Sequence, residues 1–125
     1  MAAFMHDDIL DAALNVIDAN TENLYICSAQ PTTFAEASST YALGSKASPA
    51  ISAPQNGDAS GRKVVVSAIT DGNVTGTGTA TWIALTDDSE SKLLVAQELS
   101  ASQGVTSGNT FTLTEFDITI PDPTA

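Results

Sequence analysis

The sequence predicts a mostly β chain: an antiparallel β-sandwich of jelly-roll type, or a partly open barrel, with one short N-terminal helix. Three observations predict it. Ser and Thr, 13 and 16 of the 125 residues, supply most of the polarity, while charged residues make up only 15%. Hydroxyl side chains suit solvent faces of sheets and their turns. From Arg62 onward, β-branched and apolar runs alternate with turn residues at roughly 8–12-residue intervals, the rhythm of a sandwich. Nowhere does the alternation of strand and helix required by a parallel sheet appear. A hydrophobic fraction of 42% and a length of 125 residues suit one domain with a real core, and residues 1–125 read as one unit.

The helix comes first. Ile9, Leu10, Ala13, Leu14 and Ile17 recur at helical spacing. Asp7 is the expected N-cap, with Asp8 and Asp11 near the positive end of the helix dipole and Asn20 as the stop. This places the helix over residues 7–19. At about three turns it is marginal alone, so its stripe must dock, either on the chain's own sheet or on a neighbouring subunit.

Residues 24–29, Leu-Tyr-Ile-Cys-Ser-Ala, form a nearly continuous apolar run ended by Gln30-Pro31. Such a run reads as a strand covered on both faces. Cys27 within it reads as a small hydrophobe and not as a reactive thiol. Thr33 is the expected cap of a short turn over residues 34–37, which Ser38-Ser39-Thr40 should break. Residues 41–44 read as a short extended piece. Residues 44–61 carry Pro49, Pro54, Asn56-Gly57 and Ser60-Gly61 and read as an exposed, extended loop.

The β half follows. Residues 62–70 form one β-branched run, with a turn expected at Asp71-Gly72 or Gly72-Asn73. Residues 73–79 alternate Thr and Gly and make a weak strand; residues 80–86 make a stronger one. Residues 87–91 are a polar reversal. Residues 92–99 fit helix or strand by periodicity, and their length and hairpin approach favour strand. Residues 104–109 read as a loop. In residues 110–120 the apolar phase breaks between Leu113 and Phe116. Either a bulge at Thr114-Glu115 restores one inward face, or the strand crosses from one sheet to another. Pro121-Asp122-Pro123 stops pairing.

Charge narrows the function. Fifteen acidic residues against four basic ones give a formal net charge of −11. Four cations cannot supply the phosphate neutralisation of nucleic-acid binding, and an anionic membrane repels such a chain. No apolar stretch approaches the roughly 20 residues of a transmembrane helix. Met1 to His6 offers neither the basic nor the apolar region of a secretory signal, and synthesis in a reducing cytoplasm is the simplest reading. One cysteine allows no internal disulfide framework, though an intermolecular bond stays open.

Motifs of chemistry are sparse. With a single histidine, His6, and no cysteine pair, no zinc set and no catalytic triad or dyad is expected, and no cofactor is implied. Asp87, Asp88 and Glu90 carry oxygens suited to Ca²⁺, but their spacing fits no known loop and a solvated turn is the better reading. Trp82 with Tyr25, Tyr41, Phe34, Phe111 and Phe116 could line a carbohydrate face, yet Trp82, Phe111 and Phe116 lie in strand patterns and read as core. The interface set is therefore Ile9, Leu10, Leu14 and Ile17 on the helix, with Arg62 and Lys63 as internal counter-charge or as the point where an acidic partner docks.

Several segments occur together in a recognisable order. They are residues 24–31 (Leu-Tyr-Ile-Cys-Ser-Ala-Gln-Pro), 39–44 (Ser-Thr-Tyr-Ala-Leu-Gly), 57–64 (Gly-Asp-Ala-Ser-Gly-Arg-Lys-Val), 78–87 (Gly-Thr-Ala-Thr-Trp-Ile-Ala-Leu-Thr-Asp) and 93–99 (Leu-Leu-Val-Ala-Gln-Glu-Leu), followed by 105–113. Over residues 7–120 this order resembles small β-sandwich structural proteins of tailed bacteriophages, of the head-decoration, cement or tail-accessory type. The resemblance implies a non-enzymatic virion component present in many copies. It implies a homo-oligomer, a trimer by preference, that contacts the major capsid protein or other virion subunits. It also implies assembly in the bacterial cytoplasm and residence in the virion. A tail or fibre module binding host glycan, and a head–tail connector or tail component, are the alternatives. Residues 32–61 and the tail 121–125 are expected to be arms that order on neighbours.

Overall fold

The computed structural model describes residues 5–58 and 61–121. Residues 1–4, Ala59 and Ser60 of the predicted loop, and the tail from Asp122 onward lie outside the described residues.

The chain is mostly β, antiparallel throughout, and curled into a half-barrel with one helix at its N-terminal end. Helix α1 spans Asp7–Asn20. Strands β1 (Asn23–Cys27), β2 (Ala42–Ala47), β5 (Ile69–Val74), β6 (Gly78–Asp87), β7 (Lys92–Val105) and β8 (Thr110–Leu113) form a six-stranded sheet in the order β7-β6-β1-β2-β5-β8. A smaller sheet holds β3 (Gln55–Asn56), β4 (Arg62–Val66) and β9 (Phe116–Ile120) in the order β3-β4-β9.

Alternation explains β1. Leu24 and Ile26 point into the main core, while Tyr25 and Cys27 point into a second, outer cluster with Ala37, Ala84, Trp82 and Tyr41. Both faces are covered, as the continuous apolar run requires. The outer cover is a helical turn capped by the Thr33 hydroxyl, which accepts from the Glu36 amide at 3.1 Å. The turn does not stop at Ser38 as expected: it widens into a π-helical turn over Glu36–Thr40. There the Ser38 hydroxyl donates to the Phe34 carbonyl at 2.8 Å, so a predicted breaker serves the turn.

Two crossings between sheets shape the fold. In the last strand the apolar phase shift at Thr114-Glu115 marks a crossing: Phe111 and Leu113 belong to β8 in the large sheet, Phe116, Ile118 and Ile120 to β9 in the small one. The run expected over residues 62–70 divides the same way. Val64 and Val66 face inward from β4, and Ile69 resumes inward from β5 after a break of phase at Ser67-Ala68. No turn forms at Asp71-Gly72-Asn73; these residues lie within β5. Gly72 is there because the Phe111 ring lies against its Cα, where a Cβ would collide. The reversal comes later, where the Thr75 and Gly76 amides both donate to the Leu43 carbonyl.

The expected loop over residues 44–61 is shorter than predicted. Residues 44–47 belong to β2, Gln55–Asn56 pair with β4, and Ile51 bridges to Val66. Pro49 and Pro54 sit outside these pairings, which is why their missing amides cost nothing. Strand β7 in turn outruns its prediction at the C-terminal end, pairing with β6 as far as Val105.

Candidate interaction surface

The helix is fixed first by apolar burial. Leu10, Leu14 and Ile17 are buried, at 3%, 0% and 9% exposure, where α1 lies against β4 and β6. Each such side chain contributes about 1.5–3 kcal/mol. Three of the predicted interface residues are therefore spent on the chain's own core. Ile9 is the member left on the surface, 58% exposed. His6, not Asp7, is the N-cap: its Nδ1 accepts from the Asp8 amide at 3.0 Å.

A part-buried ion pair then pins the helix. The Arg62 Nε donates to Asp11 Oδ1 at 2.7 Å and its Nη2 to Asp11 Oδ2 at 3.2 Å, a bidentate grip. Its Nη1 also donates to the Asn56 side chain at 2.6 Å. The hydrogen bonds that Asp11 accepts, with Asp7 and Asp8 nearby, raise the guanidinium pKa further. Lys63 donates to Asp58 at 2.7 Å and to Asp117 on β9 at 3.0 Å, which holds the ammonium pKa up and the Asp58 carboxyl below the usual range. The adjacent basic pair is thus internal counter-charge, and an acidic partner has no free cation there to meet.

The acidic turn after β6 is likewise occupied. Tyr25 donates its hydroxyl to Asp88 Oδ2 at 2.9 Å, and burial with that bond pushes the phenol pKa up to about 12. Thr86 donates to the other Asp88 oxygen. Glu22 accepts from the Ser89 amide at 2.6 Å, which lowers its pKa. Asp87 is raised, first by its hydrogen bond with Glu22 and then by burial. Glu36 is lowered by the Thr32 amide and hydroxyl. These carboxylates are acceptors that shape turns; among the described residues no three His, Cys, Asp or Glu side chains gather in metal-holding geometry.

Cys27 is fully buried, its thiol donating weakly to the Ala37 carbonyl, and burial pushes its pKa up to about 11. A thiolate attack or an intermolecular disulfide has no access to it in the folded chain. The six aromatics weighed as a carbohydrate face do not share one. Phe111 and Phe116 pack on the main core, whereas Tyr25, Tyr41 and Trp82 stand half-buried on the outer surface of the large sheet.

What remains exposed is an apolar ridge on α1. Ile9 and Val16 are 58% and 45% exposed, and Met5 just before the helix is 38% exposed. With the exposed Ala12 and Ala19 they follow the 4-3-4-3 spacing of a coiled-coil seam, on the side of the helix away from Leu10, Leu14 and Ile17. Sequence reasoning merged Ile9 with the inner stripe and passed over Met5 and Val16. The second heptad phase, offset from the first, is the signal that separates them. The partners Asp11, Asp58 and Asp117 were not foreseen either: Asp11 and Asp117 lie 51 and 54 positions from their cations, beyond any local pattern.

Comparison with protein-family models, with curated proteins and with solved structures finds no match.

Proposed function

We propose that this chain is a non-enzymatic structural protein of a tailed-phage virion, a decoration or cement protein that stabilises the head shell by adhesion. It binds the major capsid protein or its neighbouring subunits, acts as a homo-oligomer, with a trimer preferred, and is assembled in the bacterial cytoplasm. The observation that carries this reading is the ridge of Met5, Ile9 and Val16, held outward by a helix whose inner face and ion pair are already engaged. An apolar ridge mounted on a rigid body is what contact between shell subunits requires. The charge of −11, carried by a hydroxyl-rich surface, keeps such a protein soluble at high copy number.

The experiment is incorporation into particles of the paired variant Ile9→Asp with Val16→Asp. Both side chains are exposed, so the far-ultraviolet spectrum and melting temperature stay near those of the parent while copies per particle fall. Undiminished copy number overturns the reading. Copies confined to a single ring favour the head–tail connector alternative. The glycan-binding alternative draws on Tyr25, Tyr41 and Trp82 on the outer sheet face; it requires Trp82 fluorescence to respond to host polysaccharide.

A further inference from the structure

The half-barrel is open along one line. The order β7-β6-β1-β2-β5-β8 leaves β7 and β8 as the two edges of the large sheet, although they are consecutive in the chain and joined by residues 106–109. Strands so connected ordinarily pair as a hairpin. Here no backbone hydrogen bond joins them among the described residues, and along most of their length their Cα atoms lie more than 8 Å apart. One contact spans the gap near the turn: the Gln103 side-chain amide donates to the Thr112 carbonyl at 3.0 Å, where a ladder bond would stand.

The opening has a structural cause. Ala80 pairs with Gln103 and Trp82 with Glu98, so Thr81 alone faces residues 99–102. This large bulge, four residues opposite one, interrupts the β6–β7 ladder beside the opening and bends the bulged strand. The result is a groove of about 560 Å³ floored by Ile69, Leu99 and Leu113, which continues into a second hollow of about 300 Å³ bounded by Glu98 and Glu115. Both glutamates are exposed and form no ion pair among the described residues.

We propose that this seam binds an extended polypeptide segment of a partner protein as an added strand between β7 and β8. Three features select that occupant. Two facing unpaired edges present amides and carbonyls at strand spacing, which another backbone complements. Along most of the seam the Cα atoms stand more than 8 Å apart, wider than the single ladder spacing of about 4.8 Å at which β7 and β8 would pair directly. The apolar floor takes alternate side chains, and Glu98 with Glu115 takes a cation at the far end, in a chain short of cations of its own. The segment is therefore extended, apolar at every second position and basic at one end. The inference rests on the seam alone and does not depend on the virion reading.

The probes are three synthetic heptapeptides: Lys-Val-Thr-Val-Thr-Val-Thr, its Glu-first counterpart, and the Lys-first peptide N-methylated at alternate residues. Backbone amide spectra of the ¹⁵N-labelled chain are recorded at up to about 1 mM peptide. The Lys-first peptide shifts amides of residues 97–103 and 112–115 and slows their exchange. N-methylation abolishes the effect, and the double variant E98K/E115K weakens the Lys-first peptide about tenfold while favouring the Glu-first one. Shifts confined to other surfaces, equal binding of the N-methylated peptide, or no binding of the Lys-first peptide overturns the proposal. If the double variant does not fold, the N-methylation comparison on the parent chain still decides it.

Discussion

The corner where α1 meets β4 and the seam where β7 faces β8 are opposite solutions to the same problem of joining two elements. At the corner, elements distant in sequence are brought together by buried Leu10, Leu14 and Ile17 and then locked by the bidentate Arg62–Asp11 pair. At the seam, elements adjacent in sequence stay apart, linked by one glutamine. Two of the four basic residues stand side by side on β4, and none lines the groove at the seam. The difference teaches that proximity in the chain does not decide pairing. A bulge can hold neighbours apart, and a charge pair with a hydrophobic stripe can fix strangers.

The largest way to break this contrast is at the corner's apolar base. Leu14→Ala removes a fully buried side chain and costs about 2–5 kcal/mol in denaturant unfolding. Next comes the lock. Arg62→Met leaves Asp11 partly buried beside Asp7 and Asp8 and lowers the melting temperature, by less than Leu14→Ala does; an unchanged melting temperature would mean the stripe alone fixes the helix.

Acid titration reaches other carboxylates, those held by Lys63, Ser89 and Thr32. Asp58, Glu22 and Glu36 have folded pKa values below their unfolded ones, so each adds stability above the unfolded value and loses it as pH falls through the folded value. Asp87 is raised and works in the opposite sense. Three depressed groups against one raised group give a melting temperature that falls as pH drops below about 4.5, measured by circular dichroism. The smallest effect belongs to the seam. Gln103→Ala removes a single part-exposed hydrogen bond and costs at most about 0.5–1.5 kcal/mol. A loss as large as that of Leu14→Ala would show that the seam is a structural join after all.

The sequence carried more of the fold than of the surface. The covered strand at 24–27, the continuation of residues 92–99 as strand and the phase break at Thr114-Glu115 were legible because strand alternation is local and a phase break is visible within a few residues, although a bulge and a crossing both fitted that break. The same break at Ser67-Ala68 was equally present, but a run of Val and Ile disguised it. Asp71-Gly72-Asn73 misled as a turn because turn propensity is local, whereas the Phe111 ring that uses Gly72 arrives from 39 positions along the chain. On the surface, Leu10, Leu14 and Ile17 were legible as a stripe but not as to whom it faced, since one period serves the chain's own sheet and a partner alike.

What the sequence by itself determined is the alternation of apolar residues, the helix stripe and the excess of negative charge, all properties of neighbours along the chain. What only the tertiary structure decided is which stripe faces inward, which carboxylates Arg62 and Lys63 meet, and that β7 and β8 part. Those outcomes depend on through-space distances between residues tens of positions apart, and no pattern within one strand or one helix encodes them.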